Sequence, residues 1–509
     1  MKNLFLSTLV IGLGLIAATT DCLHAAIFTV TTANISGPGS LPVAIAQANA
    51  TPGDNQIQIS EALIVLGLQL PTITNSVAIT GTASAPSIIS GGGSLPLFTF
   101  AAGTTNSLSN LVLQSGYTTN SGAAISNAST LFVNGCVIKN HIVINSGGAI
   151  INSGVMAISA SVISGNQAGY SGGAIFNSGT MTLNNSQMSA NSAVNGGAIF
   201  NTGSLAISIL TMSNNLATGT FGGSRGGSVY NSGNLSISQA TFVTNNAICS
   251  DPAAYGGALF DAGTVEITNS TFFGNSVFGS SGIGNYINVS EGGAMFEQGG
   301  NCTLVNCTVA NNFTAGGGGS AGGIFNFSGT VSLLNTIVAG NHAQTGSPDL
   351  NGTFVSSGSN LIGNNQGATN LSIFDFQNVS ANLGTLQNNG GATPTCVPLP
   401  GSYAIGYGTS AGAPTTDQRG VPRPQNGAFD IGAVQVVTNS PFVTGAAMVS
   451  GSGFSLNTIF DATNRYRVQA STNLTAWTDL ITNGSGGGIY FIDPAATNLN
   501  RRYYRTATP

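Results

Sequence analysis

The chain has 509 residues, 42% of them apolar and only 5% charged, with a formal net charge of −5 at pH 7. A large core is within reach, while charge falls far below the roughly 25% usual for soluble domains. Between Ile27 and Gln418 the basic residues are Lys139 and Arg225 alone, too few to neutralise a nucleic-acid backbone or to hold an anionic lipid surface, and both partner classes are excluded.

In chain order, residues 1–26 read as a signal peptide: Lys2, an apolar run from Leu4 to Ala18, then Ala25 and Ala26 as small residues for cleavage. No later apolar run reaches membrane-spanning length, so the mature chain is expected to be exported, either secreted or held at the outer cell surface. Residues 27–56 predict an N-terminal cap, with a strand at Phe28-Thr-Val and a short helix from Gly39 to Asn49. Ser40 is its expected N-cap, and Pro42 stands early enough to be tolerated. Such a helix would cover the open first coil, whose unpaired strand edge otherwise invites association.

Residues 57–383 predict the body of the fold. Glycine-led phrases restart at Gly122, Gly147, Gly172, Gly196, Gly226, Gly256, Gly292 and Gly322, each followed 18 to 20 residues later by an asparagine: Asn140, Asn166, Asn191, Asn215, Asn245, Asn275, Asn312, Asn341. The gap to the next phrase varies from 4 to 16 residues. A segment of fixed length alternating with one of free length marks a solenoid. Apolar residues fall in columns, such as Ile125, Ile150, Ile175, Ile199, Val229, Leu259, Met295 and Phe325 three places on. Columns nine and eleven places on are two apart with polar residues between, which is strand alternation. A corner follows at Asn127, Asn152, Asn177, Asn201, Asn231 and Asp261, mostly before Ser-Gly, where Asn and Gly accept left-handed backbone. The expected fold class is all-β: a right-handed parallel β-helix with three strands per coil, like residues stacking on like ~4.8 Å apart. Residues 384–435, rich in Gly and Pro, are expected to wrap its far end. A linker at 436–446 and a small β-sandwich-like domain at 447–509 complete the chain.

Three sets of residues carry a resemblance. The GGA[I/L/M] phrases with strands such as Phe242-Val-Thr-Asn245 resemble polymorphic outer-membrane protein repeats. The opening FTVTTANISGPGSLPVAIAQANATPG and the closing TDQRGVPRPQNGAFDIGAVQ are similar to those of bacterial choice-of-anchor Q proteins, extracellular β-helices of the pectin-lyase-like superfold. The tail YRVQASTNLTAWTDL is similar to a C-terminal module of exported Verrucomicrobia proteins. Pro42 stands where the family usually has a basic residue, and Gln435 where it usually has Glu. The resemblance implies surface display or adhesion, with no assigned chemistry.

No catalytic residue is assigned. The best acidic cluster is Asp261 with Glu297 at equivalent corners of successive coils, and Glu291 just before the same coil. Paired carboxyls roughly 5 to 9.5 Å apart serve glycosidases, and such a cluster would also suit Ca²⁺ with loop carbonyls, the one cofactor in view. The plainer alternative is two solvated corner residues replacing Asn. His141 and His342 read as loop residues. The five cysteines beyond the expected signal peptide, Cys136, Cys249, Cys302, Cys307 and Cys396, read as buried thiols with no metal-site spacing. The insertions all lengthen one connection, before Gly226, Gly256, Gly292 and Gly322, so they project from one side. Tyr255, Phe278 and Tyr286 place aromatics there, pointing to recognition of a polysaccharide or a cell-surface protein. A carbohydrate-active enzyme, either a lyase or a glycoside hydrolase, is the alternative.

Overall fold

The computed structural model describes residues 25–219, 222–250, 253–279, 289–316, 318–425, 427–437, 442–449, 453–459, 466–482, 489–499 and 501–507. The chain from 27 to 362 winds as a parallel β-solenoid of about 12 turns. A representative coil has strands Ile150–Asn152, Val155–Ser159 and Val162–Ser164, which form its first, second and third faces. Pairing between coils is parallel and places like on like: Ile125 opposite Ile150, Ile150 opposite Ile175, Ile175 opposite Ile199. The inward side chains of all three faces form one continuous core running from Val30 to Ile362. Each large aliphatic buried there contributes about 1.5–3 kcal/mol.

Several details differ from the sequence-based expectations. A fourth, very short strand follows the third face, as at Gln167–Ala168, and builds a separate nine-stranded ladder from Tyr117–Thr118 to His342–Ala343. Two residues are too few to show alternation. The last glycine-led phrase begins one residue early: Ala321 takes the left-handed conformation (φ 51°) that Gly292 takes one coil before (φ 68°). Ile324 therefore pairs with Met295 and points inward, and Phe325 pairs with Phe296 on the outside.

The helix Leu41–Ala50 forms where expected and buries Leu41, Ala44, Ile45 and Ala48 in the first coils' core. Ser40 is its N-cap by position only, because its hydroxyl donates to the Gly37 carbonyl (2.7 Å) and makes no capping bond. Among the described residues no helix is long and apolar enough to cross a membrane.

The segment expected to wrap the far end does more than that. Ala381, Ala404 and Ile431 pack on Ile337 and Leu361 of the last coils. The chain also runs back along the solenoid, where Thr241 and Asn269 donate to the Pro394 and Thr416 carbonyls, and Asn306 and Asn335 to those of Gly432 and Thr409. This strap is fastened by a buried charge set. Arg419 grips Asp417 through Nε (3.0 Å) and Nη2 (2.8 Å), and Arg423 donates to the carbonyls of Asp430 and Gly432. Gln435 Oε1 accepts from the Asp430 amide (3.1 Å). The closing motif therefore has a structural use. Strand pairing of the C-terminal part begins at Phe442–Val449, inside the expected linker, and makes two three-stranded antiparallel sheets. Leu456, Tyr466, Val468 and Ile489 are buried there.

Paired glycines open each coil for two separate reasons. The first has positive φ, as at Gly196 (60°), and the second lies under the next coil. A Cβ on Gly197 would stand 2.2 Å from the Gly227 carbonyl oxygen. Gly197→Ala should therefore lower stability by about 2–4 kcal/mol, whereas Gly384→Ala, which meets nothing closer than 3.5 Å, should stay within about 0.5 kcal/mol. Urea denaturation followed by circular dichroism checks both.

Candidate functional site

The connections of variable length all enter the first face, and the residue just before each leading glycine is drawn into one line. Asn195, Arg225, Tyr255, Glu291 and Ser320 oppose one another on successive rungs, each step rising ~4.8 Å. Where the insertions are longest the line becomes a small parallel sheet of its own: Ser224–Arg225, Ala253–Tyr255 and Val289–Glu291. The sequence named Tyr255 and Glu291 as candidates and Arg225 only as a rare cation; the row places Arg225 next to Tyr255 and two rungs from Glu291.

Beside the row runs an aromatic spine. Phe176, Phe200, Tyr230, Phe260, Phe296 and Phe325 stack face to face with centroids 4.4–5.4 Å apart and planes within 16°. They occupy the fourth place after each leading glycine, a column the aligned phrases display but which the expected apolar columns passed over. Each contact adds about 0.5–1.5 kcal/mol beyond burial. Because the rings cover one another's faces, only their edges turn outward, so the spine supports the row and offers no stacking platform. The Tyr255 ring lies 4.6 Å from Phe296, and the Arg225 guanidinium 5.8 Å from the Phe260 ring and 6.0 Å from that of Tyr255.

The electrostatics of the row follow from half-burial. Desolvation pushes the Glu291 carboxyl up to about 7. Burial, then the neighbouring Glu291 charge, raises the Tyr255 phenol, which stays a hydrogen-bond donor at neutral pH. A cation, a phenol and a carboxyl able to exchange a proton near neutrality thus lie within two rungs.

The structure corrects the acidic cluster. Asp261 and Glu297 do oppose one another, yet they are 1% and 3% exposed, buried in the corner ladder and far from solvated. In that ladder each amide donates forward: Asn127 to Asn152, Asn152 to Asn177, Asn177 to Asn201, Asn201 to Asn231, Asn231 to Asp261 (2.7–2.8 Å). Asp261 has no amide hydrogen to pass on, and Asp261 Oδ2 and Glu297 Oε2 are left without an N–H or O–H donor. A proton on Glu297 closes the gap. Asp261 Oδ1 already accepts from Asn231 and from the Gly263 amide, so Asp261 is the better anion. Burial, and then the Asp261 charge, pushes Glu297 up to about 9. A pair so enclosed and sharing a proton is neither a glycosidase dyad nor a calcium cage. Glu291 stands apart in the row, its carboxyl shifted by burial alone.

Other candidates fall elsewhere. Phe278 lies in the strand Ser276–Gly279, edge-on to Phe313 at 5.3 Å and half exposed, ahead of the insertion. Tyr286 is outside the described residues. His141 lies between two strands but is fully buried, whereas His342, also expected in a loop, opens the short strand His342–Ala343. His141 starts a second buried ladder in place of Asn140, one residue out of step, its Nδ1 accepting from the Gly116 amide and Nε2 donating to the Leu113 carbonyl, both at 3.0 Å. Burial lowers its pKa to about 4. That ladder continues through Asn166 and Asn191 to Asn341 and ends on Asp349 Oδ1 (2.7 Å). Ala25 is exposed, and Ala26 is already tied in, its carbonyl accepting from Gln56 (2.8 Å). Among the described residues the five cysteines form no disulfide, and all are buried.

No protein-family model matches the chain, no curated protein is similar to it, and no solved structure matches it.

Because Glu297 binds its proton more tightly folded (about 9) than at the ordinary value of 4.5, its contribution is fully present below pH 4.5 and is lost as pH rises toward 9. Glu297→Gln supplies an amide donor independent of pH. The variant should gain about 1–3 kcal/mol over the wild type at pH 8 and show a flatter stability profile between pH 5 and 9. Equal pH slopes for the two proteins, measured by urea denaturation, would refute the shared proton.

Proposed function

We propose that this is an exported, surface-displayed β-helix protein that binds a glycan through the loop side of its solenoid, with Arg225, Tyr255 and Glu291 making the contact. The observation that carries the reading is their alignment on consecutive rungs at the connection that carries the longest insertions. A single arginine held against Tyr255 and Phe260 suits a chain bearing one isolated carboxylate, since polyuronates would require more cations than this surface has. The phenol of Tyr255 and the carboxyl of Glu291 suit sugar hydroxyls beside it. The likeness of the repeat, opening and closing motifs to polymorphic outer-membrane repeats and choice-of-anchor Q proteins supports display at the cell surface.

Sialyl-lactose should bind more tightly than lactose in calorimetry. Arg225→Ala should remove that preference, and Tyr255→Ala should weaken binding by about tenfold. Equal affinity for the two sugars, or an Arg225→Ala variant that keeps the preference, contradicts the reading.

A second reading, a polysaccharide lyase, is favoured by the Glu291 carboxyl, which titrates near neutrality one rung from a phenol and two from an arginine. Unsaturated products from a polysaccharide panel, lost in Glu291→Gln, would support it. For export, retention of the Gln56–Ala26 hydrogen bond favours cleavage between Ala25 and Ala26. Intact-mass analysis of the secreted chain should therefore find Ala26 as the first residue.

A further inference from the structure

Near the C-terminal end of the solenoid the residue that closes the third strand falls from Phe273 to Ala310 and Ala339, and Gly363 follows the last such strand, Leu361–Ile362. Residues 378–385 at the start of the strap return across this step without filling it. The space between is a groove of about 930 Å³, at the upper end of the range of small-ligand sites, roughly 300–1,000 Å³. It shares no residue with the Arg225–Tyr255–Glu291 row.

We propose that this groove is a second binding site, for a neutral oligosaccharide. Its floor is hydrocarbon, with Phe273, Ala310, Ala339 and Ala381, against which the C–H faces of sugar rings lie flat. Its rim is amide, hydroxyl and imidazole: Asn311, His342, Asn364, Asn382 and Thr385. These groups donate and accept at once, as vicinal hydroxyls require. Among the described residues none hydrogen-bonds the side chains of Asn311, His342 or Thr385, so their polar atoms are free for a ligand. Charge selects the class. The lining contains no Lys, Arg or Glu, which gives an anionic chain nothing to pair with. Its one carboxylate, Asp349, is 2% exposed and already accepts from the Asn341 amide (3.0 Å) and side chain (2.7 Å), which leaves little for a cation. A groove with an apolar floor and a polar rim free of Lys, Arg and Glu fits a chain of hydroxyl-rich rings.

The test uses the full mature chain with cello-, xylo-, malto- and chito-oligosaccharides as probes in calorimetry. At least one should bind saturably. Thr385→Trp, which places an indole over the groove mouth, should weaken it about tenfold, whereas Arg225→Ala should leave it unchanged. If Thr385→Trp does not fold, the wild type decides, because saturating sugar should slow carbethoxylation of the exposed His342 by diethyl pyrocarbonate, read by peptide mass spectrometry. No saturable binding by any probe, or an unprotected His342 at saturation, overturns the proposal. So does binding lost on Arg225→Ala, which would place the sugar on the loop side.

Discussion

Buried side-chain amides pass hydrogen bonds from coil to coil in two parallel files, one from Asn127 to Asp261 and one from His141 to Asp349. Each interior amide must find both a donor and an acceptor, because leaving either unmet in a dry interior costs about 1–3 kcal/mol. An asparagine in a file meets both demands only when its neighbours sit one rung above and below, in register. The files thereby hold the coils they span in register, and most added length falls in the connection outside them; where the first file ends, at Glu297, an extra residue enters the corner. The aliphatic core would tolerate a slip between similar residues; the amides do not. Both files end in groups that break the pattern in a chemically sensible way, a proton-sharing acid pair in one, and in the other an imidazole at the start and a carboxylate at the finish.

The solenoid and its corner file were legible in the chain because they repeat. Ile150 over Ile175 and Asn152 over Asn177 declare their register through periodicity, and the structure places them so. What escaped detection lacked either length or local context. The fourth strand is too short to alternate. His141 differs chemically from the asparagines beneath it, and its neighbour Asn140 stood ready to be mistaken for the rung. Asp261 and Glu297 looked like surface charges, since nothing local reveals that a corner side chain turns inward. Arg225 seemed alone because its partners are 30 and 66 residues away, joined only by stacking. That row was recoverable from the rule that the residue before each leading glycine shares a line.

Two sides of the coil stack have different characters. On the loop side, insertions bring together the row's arginine, tyrosine and glutamate, braced by a spine of rings whose faces are spent on each other. On the strap side, the returning chain is neutral where it meets solvent and charged only where it is sealed, at Asp417, Arg419, Arg423 and Asp430. Charge is rare in this protein, and much of it is enclosed as fastening.

The strap's fastening also bears on how the molecule comes apart. Stacked-repeat proteins ordinarily fray from an open end, one layer at a time, because each layer touches only its neighbours. Here the terminal layers are stitched to a single chain that reaches back to Thr241 and Gln239. Peeling that end requires the stitch to open along its whole length first, so the last coils should yield to tension, or to a protease, together and not in succession.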